Sequence, residues 1–268
     1  MHNLKQRYRY SVILLRELVR TDFKIRYQSS LLGYVWSLLR PLLIFVILYL
    51  VFTKFLKVGT GIAHYPVYLL LGILLWNFFV EVTMGGVTAV VGKGDLLRKI
   101  NFPKYVIILS VTLSALINLS LTSIVIAIFM IIGHVGISWH ALLLIPLIME
   151  LVIFSVAVAF FLSAAYVKYR DVSYIWEVII QGAFYATPIL YPLSRIPHFA
   201  AKFLILNPLA QIIQDSRYVL VTHQTETIAS VYGGDYLIWA IPLSVVLVAA
   251  VIGSTYFRKR SKFFAEES

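Results

Sequence analysis

The sequence predicts an all-α integral membrane protein with six transmembrane helices, an N-terminal amphipathic interface helix and an external re-entrant helical hairpin between helices 5 and 6. Two features of composition support this class: 60% of the 268 residues are hydrophobic, and the mean hydropathy is +0.88. Charged residues make up 13%, against roughly 25% in ordinary soluble domains. A water-soluble fold of this size cannot bury so much apolar surface, so lipid must be part of the solvent.

The composition also limits the partners and the chemistry. The net charge is +11, but in so apolar a chain basic loops are better explained as determinants of membrane orientation than as a nucleic-acid surface. We therefore expect membrane lipids as partners and no nucleic acid. The chain contains no cysteine, which excludes disulfide and thiol chemistry. No long polar or Pro/Gly/Ser-rich linker interrupts it, so residues 1–268 are predicted to form one domain.

Residues 8–27 predict an amphipathic helix that lies in the headgroup plane of the membrane. Val12, Leu15 and Val19 share one helical face. Basic residues recur at every fourth position on another face: Arg16, Arg20 and Lys24. A basic face suits anionic lipid, although a helix packed on a protein partner is the alternative.

Six apolar runs follow, and each is near or above the ~20 residues that a helix needs to cross a bilayer. The runs predict transmembrane helices at 31–53, 65–91, 106–133, 141–167, 174–191 and 236–257.

The distribution of Lys and Arg predicts the orientation of these helices. With the N-terminus in the cytoplasm, most of the 23 basic residues fall on the cytoplasmic side. The exceptions are Lys54, Lys57, Arg195, Lys202 and Arg217. The positive-inside rule therefore places both termini in the cytoplasm, which an even number of spans allows.

Residues 192–235 form the one substantial outside segment, and it is too apolar for an ordinary polar loop. Pro197 and Pro208 divide it into short helices. A re-entrant or interface-lying hairpin fits this pattern, because irregular backbone is tolerated where protein or a water-filled cavity surrounds it.

The sequence contains no recognisable catalytic or metal-binding motif. The run from Gly86 to Gly94, GVTAVVGKG, resembles a phosphate loop but has one residue too many between its glycines and lacks the Ser or Thr after Lys93. The six histidines show no metal-ligand spacing. We therefore predict a transport subunit with no enzymatic activity, and no cofactor bound by this chain.

Three acidic residues fall inside predicted spans: Glu81, Glu150 and Glu177. Charge within a membrane is costly and indicates either a polar pathway or a residue near a helix end that is paired with a base.

Aromatic residues in the spans allow two interpretations. They could line a substrate path, where they would stack on sugar rings, or they could simply pack the helices together. The candidates for a path are Phe45, Tyr49, Trp76, Tyr185 and Tyr191.

Five strings, in order along most of the chain, resemble the ABC-2 type permeases that export polysaccharide or polyol phosphate chains. They are KIRYQSSLLGYVWSLLRPL (24–42), RKINFPKYVI (98–107), KYRDV (168–172), ATPILYPLSRIP (186–197) and NPLAQIIQDSRYVL (207–220). Together they are specific, although each alone is weak.

The resemblance implies a bacterial plasma-membrane exporter. Two copies of the chain would form the pore, chiefly from the first, second and fifth helices, with the external segment as a gate. Two copies of a separate cytoplasmic ATPase would bind ATP and Mg²⁺. The implied cargo is a lipid-linked glycan such as O-antigen, capsule or wall teichoic acid.

The resemblance also implies two segments that couple the permease to its ATPase. Both carry charged residues, and the first also has an apolar anchor, Phe102. The residues are Asp95, Arg98, Lys99, Asn101, Phe102, Arg170 and Asp171. Alternatively these charges only fix the topology.

A basic rim on the cytoplasmic side also suits the phosphate of an arriving lipid-linked substrate, and Arg26 and Arg40 are the candidates for that contact.

Three other functions stay open at this point. An exporter of small hydrophobic compounds belongs to the same family. A membrane-embedded glycosyltransferase would need carboxylates near a lipid phosphate, and Asp215, Glu226 and Asp235 form no recognisable motif for it. A proton-coupled carrier would need Glu81 or Glu150.

Overall fold

A computed structural model describes residues 2–27, 35–58, 61–100, 102–136 and 138–264, and these residues form helices and connecting turns with no strand. The α-helices are α1 His2–Tyr27, α2 Val35–Leu50, α3 Tyr65–Gly92, α4 Gly94–Lys99, α5 Tyr105–Ile132, α6 Leu144–Lys168, α7 Val172–Ala186, α8 His198–Ile205, α9 Pro208–Leu220, α10 Ile228–Val231 and α11 Ala240–Arg260. A π-helical turn, Val51–Phe55, continues α2. Short 3-10 helices occupy Trp139–Leu143, Leu193–Arg195 and Tyr236–Trp239.

Four helices of the described chain are long and apolar enough to cross a membrane: Tyr65–Gly92, Tyr105–Ile132, Trp139–Lys168 and Tyr236–Arg260. They correspond to the predicted second, third, fourth and sixth spans. The apolar helix at the predicted first span is shorter, and residues 31–34 of that span lie outside the described residues. Six crossings therefore stay a prediction.

The predicted fifth span, 174–191, is too long at its C-terminal end. The helix α7 has 15 residues and ends at Ala186, so it is about 22 Å long. Thr187 is extended, with φ −82° and ψ 137°, because a proline at position 188 disfavours helical backbone in the residue before it. The chain then turns back into the protein.

The helix α3 lies at the centre of the bundle. Most of its residues are buried, whereas only about a fifth of the residues in the most apolar stretch of each of the other three long helices are buried. That exposure suits lipid as the surrounding solvent. Phe79 of α3 stacks on Phe154 of α6 with ring centroids 5.6 Å apart, and Gly86 abuts Ala159 further along both helices. The two helices therefore run parallel and end on the same side.

Small residues permit the close contact between α6 and α11. A methyl group added to Gly253 would collide with the backbone of Ala157, whereas one added to Gly182 of α7 would meet nothing within 4 Å. Phe160 and Phe257 continue the contact, with ring centroids 4.7 Å apart. Close packing of helices through small residues is a common device inside membranes.

The helix α1 packs on α5 of the same chain. Leu14, Leu15 and Leu18 pack against the core, and Val19 is buried. The predicted basic face is exposed at Arg16, Arg20 and Lys24. Val12, predicted on the apolar face, is exposed as well. The amphipathic pattern therefore serves partly to bind this protein's own bundle, and contact with lipid stays a prediction.

Lys93, the lysine of the rejected phosphate-loop match, joins the end of α3 to α1. Its Nζ lies 3.3 Å from Asp22 Oδ2 and 3.3 Å from Ser110 Oγ. The preceding glycines are part of the helix α3. This run is therefore a helix and its C-cap, not a loop that could cradle phosphate.

The segment 192–235 forms a small helical unit with its own apolar cluster. Pro197 precedes α8 and Pro208 begins α9, as the sequence predicts. The cluster consists of Leu193, Ala201, Ile205, Ile228 and Val231. A re-entrant position in the bilayer stays a prediction.

The contact between α6 and α11 predicts opposite effects for two matched substitutions. Gly253→Ala should destabilise the protein by about 1–3 kcal/mol because the added methyl overpacks the interface. Gly182→Ala should be neutral or stabilising by up to about 1 kcal/mol because alanine favours a helix. Thermal unfolding of the detergent-solubilised protein tests the pair, and equal melting temperatures for the two variants would contradict the packing described.

Candidate functional site

The segment Thr187–Leu190, directly after α7, is buried in the protein although it is not helical. Its backbone carbonyls at Pro188, Ile189 and Leu190 therefore need hydrogen-bond donors. An unpaired polar group buried away from water costs about 1–3 kcal/mol, and more within lipid.

Arg217 of α9 supplies most of these donors. Its Nη1 donates to Pro188 O at 2.7 Å, its Nη2 to Ile189 O at 2.5 Å, and its Nε to Tyr68 O at 2.9 Å. The guanidinium also lies 3.7 Å from the centroid of the Tyr68 ring. The planar fork of arginine, with five N–H donors, suits such a set of acceptors.

The burial of Arg217 is complete, and burial lowers the pKa of its guanidinium. Gly72 of α3 makes room for it, because a methyl group there would overlap the guanidinium. Carbonyl dipoles and the ring of Tyr68 therefore replace water around the charge.

Two further side chains complete the arrangement. Tyr65 Oη donates to Leu190 O at 3.0 Å, and Gln214 Nε2 donates to Pro188 O at 3.1 Å. Tyr68 Oη lies 3.4 Å from Gln214 Oε1. Tyr65, Tyr68, Gln214 and Arg217 are called the outer clamp below, because they join the start of α3 and the middle of α9 to the end of α7.

A polar cavity of about 120 Å³ adjoins the outer clamp. Tyr68 and Gln214 line it on the clamp side, and Ser194, Thr222 and Glu226 line it on the other. Water or a polar ligand group can therefore reach the clamp from the segment 192–235.

A second polar group lies between α9 and α6. Asp215 is only 2% exposed, and Gln211 Nε2 donates to its Oδ2 at 2.6 Å. Glu150 of α6 lies close enough to Gln211 and Asp215 to interact electrostatically with both. Burial raises the pKa of Asp215 from 3.8 to about 6, although the hydrogen bond from Gln211 opposes the rise. The fold therefore favours the protonated form of Asp215 in mildly acidic solution, up to a pH of about 6.

The two other acids of the predicted spans have different surroundings. Glu81 accepts a hydrogen bond from Asn118 Nδ2 at 2.7 Å inside the bundle. Glu177 is exposed on α7. The three acids thus lie on separate helices in separate environments, and no group of three or more His, Asp or Glu residues suited to a metal occurs in the described part of the chain.

The first predicted coupling segment is the short helix α4. Asp95 lies in its first turn, Arg98 and Lys99 lie in its last turn, and all three are exposed. This charge order complements the helix dipole. Phe102 does not project to a partner as the sequence suggests, because it is 4% exposed and packs in the core. Asn101 lies outside the described residues.

The second predicted coupling segment is the turn between α6 and α7. Arg170 and Asp171 are both exposed there. Because α3 and α6 run parallel, this turn and α4 lie at the same end of the bundle, opposite the outer clamp. A soluble partner can therefore contact both segments at once.

The predicted path residues differ in exposure. Phe45 and Trp76 are buried, Tyr49 and Tyr191 are half-buried, and Tyr185 is exposed. The ring centroids of Phe45 and Tyr49 are 5.8 Å apart, as are those of Trp76 and Phe184. Tyr185 is 69% exposed on α7. The Oη of Tyr191 donates to Tyr185 O at 2.9 Å. Their role in transport stays a prediction, and the side chains of Arg26 and Arg40 lie outside the described residues.

The sequence reasoning missed the outer clamp and an exposed face of α7. That face carries Tyr174, Glu177, Gln181 and Tyr185 at helical spacing. The sequence carries a signal for the clamp, because Gln211, Gln214 and Arg217 repeat at every third position of a helix that is mostly apolar before Gln214 and after Arg217. Their burial and their acceptors depend on the irregular backbone at Thr187–Leu190.

Comparison with known proteins gives one consistent result. Residues 13–221 match the family described as ABC-2 type transporter. The chain is 30% identical over 266 residues to the O-antigen export system permease protein RfbA of Myxococcus xanthus, and the match covers 98% of each protein. It is 30% identical over 267 residues to the protein of the same name from Klebsiella pneumoniae, covering 98% of this chain and 99% of the relative.

Replacement of Arg217 tests the outer clamp. Arg217→Met removes the guanidinium donors from the carbonyls of Tyr68, Pro188 and Ile189, of which only Pro188 keeps a second donor, Gln214. Arg217→Lys can satisfy only part of the set. We expect both variants to lose roughly 2–4 kcal/mol of stability, which lowers the melting temperature by about 5–10 °C in a protein of this size. Arg195→Lys, at an exposed position, is the control; a clamp variant as stable as this control would exclude the role given to Arg217.

The environment of Asp215 predicts a pH-dependent stability. Its pKa is higher in the folded than in the unfolded state, so its stabilising contribution is complete below pH ~4. That contribution is lost as the pH rises through about 6. The stability of Asp215→Asn relative to wild type should therefore be greater at pH 7.5 than at pH 5 by about 1–1.5 kcal/mol, which thermal unfolding at the two pH values measures.

The comparison between the two pH values removes effects common to both proteins. Glu150, His140, His223 and Tyr218 lie on or beside the elements that pack on α9, and both proteins contain them. A difference between variant and wild type that is the same at both pH values would show that the fold does not raise the pKa of Asp215.

Proposed function

Because the chain belongs to the ABC-2 type transporter family, we propose that it is the permease subunit of an ATP-driven exporter of polysaccharide. The observation that carries this proposal is the match to O-antigen export permeases over nearly the whole chain. The protein is a multi-pass protein of the bacterial inner membrane, and its long apolar helices fit that location.

The proposed topology has six spans with both termini in the cytoplasm. The basic residues at the ends of α4, α6 and α11 favour this orientation by the positive-inside rule. The end of the bundle with α4 then faces the cytoplasm, and the outer clamp faces outwards. The segment 192–235 is proposed to act as an external gate.

The energy is proposed to come from a separate ABC ATPase, present in two copies, that binds ATP and Mg²⁺. The exposed charges of α4 and of the turn at Arg170 and Asp171 are proposed as its docking surface. The permease itself is proposed to bind no cofactor and to catalyse no reaction.

Two rigid helices connect this docking surface to the outer clamp. The helix α3 leads from Tyr65 and Tyr68 of the clamp to α4, a distance of about 42 Å for its 28 residues. The helix α7 leads from the turn at Asp171 to Thr187. A movement imposed on both cytoplasmic segments would thus reach the outer clamp from two sides, which biases the gate towards one of its states.

The substrate path is proposed to lie between two copies of the chain. The exposed face of α7, with Tyr174, Glu177, Gln181 and Tyr185, supports this, because tyrosine, carboxylate and amide side chains suit a sugar polymer better than lipid. The cargo is proposed to be a lipid-linked glycan, with Arg26 and Arg40 at the phosphate of the arriving lipid.

Inverted membrane vesicles test the function directly. Vesicles that contain this chain and its ATPase should transfer a lipid-linked polysaccharide to the lumen, where added glycosidase cannot reach it, and only with ATP. Transfer without an ATPase would contradict the proposal. Formation of new glycosidic bonds by the chain alone would favour a glycosyltransferase.

The docking surface predicts an effect of charge reversal at α4. Lys99→Glu should weaken co-purification of the ATPase by about fivefold or more, since removal of one rim charge already costs roughly 1 kcal/mol. Lys54→Glu, also exposed but at the opposite end of the bundle, should have no effect. Equal recovery of the ATPase with both variants would exclude α4 from the docking surface.

A further inference from the structure

A large apolar groove lies between α6, α7 and α11, with a volume of about 800 Å³. Its floor consists of small residues, among them Ala157, Ala165 and Gly253. These residues let α6 and α11 approach closely and leave no side chains to fill the space above them. The walls are apolar, and Val248 and Ile252 of α11 project there with more than half of their surface exposed.

The groove has the length of one leaflet of a bilayer. Its lining runs from residue 157 to residue 169 on α6 and from residue 244 to residue 256 on α11. Twelve residues of helix correspond to about 18 Å, and half of a bilayer's hydrocarbon core is about 15 Å. The lining reaches the turn at Tyr169 and Val172, so the groove occupies the half of the bilayer next to the coupling segments.

Basic residues lie at this end of the groove. Lys168 is exposed, and its Nζ lies 5.1 Å from the centroid of the Tyr169 ring, which lines the groove. Lys259 is exposed and follows the lining residue Tyr256 by three positions, which places both on one face of α11. Asp171 is the acid of the adjoining turn, and the C-terminal turn of α11 carries three consecutive basic residues, Arg258–Arg260.

We propose that this groove is a binding site for an anionic phospholipid of the cytoplasmic leaflet. Its acyl chains fill the space between α6, α7 and α11, and its phosphate lies against Lys168 and Lys259. The leaflet rests on the topology given above; the cargo and the ATPase do not enter the argument. A helix from a second copy would extend through both leaflets, whereas the lining covers only one.

The first experiment compares phosphatidylglycerol with phosphatidylcholine. The full chain is reconstituted in nanodiscs of phosphatidylcholine with increasing fractions of phosphatidylglycerol. Native mass spectrometry then counts the lipids that stay bound to the protein after it is released from the nanodisc. Phosphatidylglycerol should be retained and should raise the melting temperature. Equal retention of the two lipids would overturn the proposal.

A filled groove provides the matched variant. Val248→Trp places a large ring in the groove, whereas Val251→Trp adds the same ring at a position of α11 that does not line it. We expect the first to abolish the retention of phosphatidylglycerol and the rise in melting temperature, and the second to preserve both. If Val248→Trp instead dissociated two copies of the chain and left lipid retention unchanged, a second copy would be the occupant.

The charge requirement is tested separately, so that a folding defect at Val248 cannot decide the question. Lys168→Gln and Lys259→Gln should each weaken the affinity for phosphatidylglycerol by about fivefold, the effect expected for one basic residue near an anionic surface. Lys54→Gln, at the other end of the bundle, should leave it unchanged. Unaltered affinity in both rim variants would overturn the assignment of the phosphate.

These measurements need neither ATP nor a glycan. A chain that retains the anionic lipid but fails in vesicle transfer would contradict the proposed function alone. A chain that exports polysaccharide but shows no preference between the two lipids would contradict only the lipid site.

Discussion

The structure depends on how the backbone is satisfied where α7 ends. Pro188 stops the helix inside the protein, and three buried carbonyls then face the start of α3. Arg217, Gln214 and Tyr65 donate hydrogen bonds to them. A helix break at this depth is tolerated only where such donors are at hand, and the need for them explains why a fully buried arginine lies on α9. The outer segment is thus held to the bundle through α7 and α3 together.

The same arrangement gives the bundle a mechanical connection. The helices α3 and α7 each begin or end at the outer clamp, and each has its other end at an exposed charged segment, α4 or the turn at Arg170. Neither helix can shift along its axis without disturbing the hydrogen bonds of Arg217. Packed helices move as units instead of deforming continuously. A displacement at one end of the bundle can therefore be transmitted along α3 to the other end, about 40 Å away.

Hydropathy and charge predicted the class of fold, including the four long apolar helices among the six spans expected, and the proline-bounded helices α8 and α9, because these features depend on local composition. Other features depended on contacts between distant residues. The early end of α7 follows from Pro188 together with Arg217, 29 positions later. Phe102 looked like an anchor for a partner, yet it packs in the core, because an isolated aromatic residue in a loop carries no sign of which surface it meets. The aromatic candidates were likewise mixed: Trp76 is buried, whereas Tyr185 is exposed.

The central claim is that Thr187–Leu190 is sealed by α3 and α9 while the neighbouring helix α8 faces the outside, and the chain offers a direct test because it contains no cysteine. Single cysteines at Ile189, which is 0% exposed, and at Phe203, which is 76% exposed, are treated with a membrane-impermeant maleimide on intact cells. The account predicts rapid labelling of Phe203→Cys and labelling of Ile189→Cys only after denaturation. Equally rapid labelling of both positions in the native protein would contradict it.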